Sequence, residues 1–141
     1  MPVAAALLAG CGNHDVAVAP ECSEGQPTIM AALAHAPAAV RLRGHVPISH
    51  CFEHAASAAD VQNVGALVIT AVEHLADRVR EAPHSHAAVE LGYLVGAVRR
   101  GAGTDGGVHY ESERRVEQAL VGVPTATPEY RRGLDAGLRT G

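Results

Sequence analysis

The chain has 141 residues and a formal net charge of −4, with 15 acidic side chains against 11 basic ones. That length suits one domain with a modest core, and no basic tract offers the counter-charge that nucleic-acid phosphates demand. The aromatic residues are Phe52, Tyr93, Tyr110 and Tyr130, too sparse for a base-stacking platform, so nucleic acid is excluded as an expected partner. Every basic residue is Arg and none is Lys, in a chain rich in Ala and Gly. A GC-rich coding bias accounts for this, and Arg clusters alone therefore carry little weight.

At the start of the chain, the apolar run Val3 to Leu8 leads into Leu8-Ala9-Gly10-Cys11. A branched apolar residue, two small residues and a cysteine resemble the lipobox of bacterial lipoproteins. The resemblance implies cleavage before Cys11, lipidation of that thiol, and a mature protein held at a membrane outside the cytoplasm. Residues 1–10 are then a partial signal peptide and 11–27 a tether, polar and without period. Met1-Pro2 lacks the basic residue with which such leaders begin. Either the true start lies upstream, or the match is accidental and the protein is a cytoplasmic helical interaction protein. The apolar run is far shorter than the roughly 20 residues that a spanning helix needs. With Cys11 acylated, the resemblance leaves Cys22 and Cys51 as a disulfide pair, closing a loop of about thirty residues at roughly 3 to 4 kcal/mol in the chain-entropy model. In the cytoplasmic reading they are two free buried thiols.

Residues 28–56 read as an irregular subregion. Pro27 to Ala34 suits two helical turns with the proline in the first turn, and Pro37 stops them. Val40-Arg41-Leu42-Arg43 alternates apolar with basic and suggests a short strand, confined by Gly44 and Pro47.

Residues 57–141 read as the helical domain. Ser57-Ala58-Ala59-Asp60 has the form of a capping box, and Val61, Val64, Val68, Val72, Leu75 and Val79 recur every three or four residues, which predicts a helix to about Arg80. A second helix, from His84 or Ser85 to Arg100 with Gly101 as its terminal cap, is apolar on nearly every face and is expected at the centre. Ala88, Gly92 and Gly96 form a groove along it. Gly101 to Gly107 is expected as a loop. Its G-x-G-x-x-G spacing is no dinucleotide fingerprint, because a helix and not a strand precedes it. A third helix is predicted for Glu111 to Val121, with Glu111 and Arg115 paired. Thr127-Pro128-Glu129 opens a fourth, to about Arg139, with a stripe of Tyr130, Leu134 and Leu138 beside Gly133 and Gly137. The two glycine-ridged helices are expected to pack together. The fold class is thus all-α: a small bundle of three long helices plus one or more short ones, behind an irregular N-terminal region.

His50-Cys51-Phe52-Glu53-His54 matches H-x-x-E-H, the inverted zinc-peptidase signature. On a helix the two imidazoles would share a face and hold zinc, with Glu53 activating water. The motif precedes the clearest helix start, so its helicity is not predicted, and a catalytic role for His50, Glu53 and His54 stands as a minor alternative. A wider metal site can draw on His45, His50, His54, His84 and His86. The pairs Arg99-Arg100, Arg114-Arg115 and Arg131-Arg132 offer an anion-binding patch or a solvated face. The leading expectation is a lipid-anchored envelope module, non-enzymatic and without cofactor, binding the membrane through its anchor and a protein or small ligand through the bundle surface.

Overall fold

The computed structural model describes residues 17–55, 57–103 and 108–141. Leu8 to Cys11, with the expected leader and acylation site, lie outside them. The described chain is all-α: α1 Gln26–Leu33, α2 Ile48–Glu53, α3 Ala58–Glu81, α4 His86–Ala102, α5 Val108–Ala119 and α6 Pro128–Thr140, with a 3-10 turn at Pro20–Ser23.

The longest helix, α3, starts as its sequence dictates. The Ser57 hydroxyl accepts from the Asp60 backbone amide at 3.1 Å, while the Asp60 carboxylate accepts from the Ser57 amide at 3.4 Å and hydroxyl at 2.6 Å. These bonds satisfy donors that the first turn leaves orphaned. The six residues of its predicted stripe are all buried. Central to the molecule is α4, whose side chains from Ala87 to Val98 are all buried. Among them is Glu90, whose carboxylate lies 3.4 Å from the Arg78 guanidinium.

Glycines decide how α4 meets α6. A Cβ at Gly92 would collide with the Tyr130 carbonyl oxygen, and one at Gly96 would lie 2.5 Å from that of Leu134. In return, a Cβ at Gly133 would strike the Val89 carbonyl and one at Gly137 the Tyr93 carbonyl. The two backbones therefore touch along two turns, as close as helices can come when the facing residues lack side chains. Contacts advance together along both helices, so α4 and α6 run parallel, and α5 carries the chain back between them. The buried face of α6 runs through Tyr130, Gly133, Ala136 and Gly137. Of the expected stripe, Leu134 is only partly covered and Leu138 is exposed, because a glycine ridge lets the neighbouring backbone occupy the space that leucines would fill.

Three other expectations give way to local physics. α4 continues through Gly101, where a Cβ would lie 2.5 Å from the Ser49 carbonyl oxygen of α2. That glycine serves packing, and the helix ends at Gly103, whose φ of +65° and ψ of −168° lie in a backbone region open essentially to glycine alone. Val40 to Arg43 forms no strand but a tight turn, with one bridge between Leu42 and Val46 and left-handed residues at its tip, Arg43 and Gly44. Finally, the segment read as a tether is folded from Pro20 onward, with Cys22 buried.

One core unites these parts. Cys22, Ile29, Leu33, Val40, Leu42, Ile48, Cys51 and Phe52 belong to the same buried cluster as the faces of α3 and α4, so the 28–56 subregion is packed on the bundle. Cys22 and Cys51 are joined as a disulfide, with Cα atoms 5.5 Å apart. The wholly buried Tyr93 adds a polar tie. Its hydroxyl accepts from the Val40 amide at 3.0 Å and lies 2.9 Å from Thr140 Oγ1. Because Thr140 donates to the Ala136 carbonyl, Tyr93 is the donor in that second contact, and its hydroxyl is fully satisfied.

Candidate functional site

The H-x-x-E-H motif lies on α2 and its C-terminal end. Ile48, Cys51 and Phe52 form the inner face of this short helix and are buried. Six residues rarely hold a helix by propensity alone; here burial and the bond from Cys51 to Cys22 fix it. The opposite side presents His50, Glu53 and His54 to solvent. One ligand atom from each lies within 4.8 Å of the others, a grouping of three donors fit for a metal ion. His50 Nε2 is 3.6 Å from Glu53 Oε2, and the two imidazole rings stand edge-on with centroids 5.4 Å apart.

The remaining histidines of the wider set do not join this group. His45 contacts Glu21 Oε1 at 2.8 Å and the Arg43 carbonyl at 3.0 Å. His84 pairs with Glu129 at 3.1 Å, linking the N-terminal ends of α4 and α6. His86 reaches the Ala34 carbonyl at 3.3 Å and lies 3.9 Å from Glu90. These contacts leave a mark on the acids. The carboxyl of Glu21 is held below its ordinary range by its own backbone amide and then by His45, and that of Glu129 by its own amide and then by His84.

The arginine pairs are divided among local partners. Arg114 and Arg115 both bind Glu111, at 2.8 and 2.9 Å, and hydrogen bonds from Arg114 and then Arg115 lower the Glu111 pKa to about 2. Arg99 lies 3.8 Å from Glu113. Arg100 donates to the Leu138 and Arg139 carbonyls, at 3.1 and 2.6 Å, and so caps the end of α6. Arg131 donates to the Ala126 carbonyl at 2.8 Å.

Among the described residues, two clefts stand out, and neither of these is lined by the α2 motif. The larger, of about 570 Å³, lies between α1 and the turn at 39–44 and is lined by Pro27, Ala31 and Ala32 together with His35, Arg41 and Arg43. Arg41 is anchored through Nη1 to the Val40 and Thr140 carbonyls, and Arg43 through Nε to Glu24 at 2.6 Å. Sequence reasoning misses this cleft, although the alternation at Val40 to Arg43 carries a signal of it. Val40 and Leu42 are buried while Arg41 and Arg43 face the cleft, a two-residue period that a turn produces as readily as a strand. The smaller cleft, of about 210 Å³, lies between α3 and α5 and includes Gln62, Glu111 and Arg115. Among the described residues, no helix is long and apolar enough to cross a membrane. Comparison of the chain with protein-family models, curated proteins and solved structures finds no match.

Proposed function

We propose that this chain is a lipid-anchored, extracytoplasmic binding module that works without catalysis. The observation that carries the reading is the Cys22–Cys51 disulfide. Disulfides persist in oxidising compartments and are rare among cytosolic proteins. Pairing these two cysteines also leaves Cys11, the third in the chain, as the thiol that the preceding Leu8-Ala9-Gly10 marks for acylation. The binding role rests on the larger cleft, whose mixed lining of small apolar side chains and arginines suits a small ligand or a protruding partner side chain.

Intact-mass analysis of the membrane fraction from the native host tests the address. The expected product begins at Cys11, carries acyl chains and is two hydrogens lighter than its reduced form. Cys11→Ala is expected to abolish acylation and release the protein from the membrane. A full-length, unacylated chain with three free thiols would overturn the proposal in favour of a cytoplasmic interaction protein.

A further inference from the structure

We infer that the C-terminal turn of α2 is a surface site for a divalent transition-metal ion of the zinc type, with His50, Glu53 and His54 as its protein ligands. The inference is independent of the lipid anchor and of the clefts.

Positions 50, 53 and 54 of a helix span an arc of about 100°, and the geometry places their donor atoms within 4.8 Å of one another. Ligand atoms at zinc distances in a tetrahedral site stand roughly 3.3 Å apart. His50 Nε2 and Glu53 Oε2, at 3.6 Å, are nearly there. The His54 ring closes the remaining gap by side-chain torsion alone, because all three residues share one turn. The backbone beneath is already fixed by Cys51, Ile48 and Phe52 in the core, so the metal does not have to order the helix it binds.

The chemistry selects the ion. Two neutral imidazoles and one carboxylate suit zinc, nickel or copper, whereas calcium and magnesium favour sets of oxygen ligands. Cys51 is excluded as a ligand, since its sulfur is bonded to that of Cys22. Within the five candidate histidines the side chains also sort themselves. His45, His84 and His86 are each hydrogen-bonded to a group elsewhere in the fold, but the ring nitrogens of His54 make no hydrogen bond among the described residues. The side chains of His50 and Glu53 are 50% and 37% exposed, which leaves a fourth coordination position open to water.

The test is a calorimetric titration of Zn²⁺ into tag-free, metal-stripped full chain with its disulfide intact, near neutral pH. One-to-one saturable binding is expected. His50→Ala and His54→Ala should each weaken it by about tenfold or more, with His84→Ala leaving it unchanged. Ring-nitrogen NMR signals of the wild-type protein provide a second readout that needs no variant: those of His50 and His54 should shift on Zn²⁺ addition while those of His45, His84 and His86 stay. No saturable binding, binding that survives the His50→Ala/His54→Ala double variant, or shifts confined to other histidines would overturn the inference.

Discussion

Gly133 and Gly65 are both helical glycines, yet alanine should act on them in opposite ways. In a helix interior, Ala is favoured over Gly by about 1 kcal/mol, so propensity alone predicts stabilisation at both positions. At Gly133 the new methyl meets the Val89 carbonyl oxygen, and at Gly65 it meets only the Ser112 hydroxyl at 3.2 Å. A backbone carbonyl in a packed helix cannot yield, whereas a hydroxyl can rotate. Gly133→Ala is therefore expected to lose about 1 to 3 kcal/mol by overpacking, and Gly65→Ala to be neutral or stabilising; urea denaturation curves of the two variants check both signs. Glu111 supplies a pH-dependent counterpart. Its pKa is lowered from 4.5 to about 2 by Arg114 and Arg115, so the folded state holds its proton less tightly than the unfolded chain. Its contribution is whole above pH 4.5 and is lost as pH falls toward 2. Thermal unfolding of Glu111→Gln should accordingly show a shallower acid decline than the wild type across that window, and identical slopes would refute the pairing.

At the scale of elements, legibility follows length. α3 announces itself through a capping box and a six-member apolar stripe, and α6 through Thr127, whose hydroxyl accepts from the Tyr130 amide at 3.2 Å. Helices of this length sample several turns of their own period. α2, with only six residues, does not, and its helicity comes from contacts distant in sequence: Cys22 through the disulfide, and α4 through Gly101. The spacing of His50, Glu53 and His54 was thus visible, but not the helix that makes the spacing meaningful. Two helix ends are also obscured, because they are closed by remote arginines. Arg100 caps α6, and Arg80 donates to the Ala119 and Val121 carbonyls at the end of α5, a role no local pattern reveals. The disulfide should matter most for the elements that cannot stand alone. A Cys22→Ser/Cys51→Ser variant is expected to lose about 3 to 4 kcal/mol, with hydrogen exchange rising first around α2 and the Pro20–Ser23 turn. Uniform exchange across the chain would count against this local role.

For the whole molecule, the decisive feature is that α4 and α6 are parallel neighbours separated by a return helix. Most of α4 is covered only once α6 has arrived, so the core closes late in the chain, and the Tyr93 hydroxyl joins Val40 to Thr140 across that closure. The all-α class and the central position of α4 were readable from an apolar helix that needed cover on every side. The parallel pairing was not, since glycine spacing shows that two helices can touch without fixing their direction. The seam also has a genetic consequence. Every single-base change in a glycine codon is silent, adds a Cβ or stops the chain. Gly92, Gly96, Gly133 and Gly137 therefore have no neighbouring missense codon that keeps the backbones in contact. In a saturation-mutagenesis library these four codons should stand out as near-empty columns, and a lineage carrying this fold can leave them only by moving the two helices apart together.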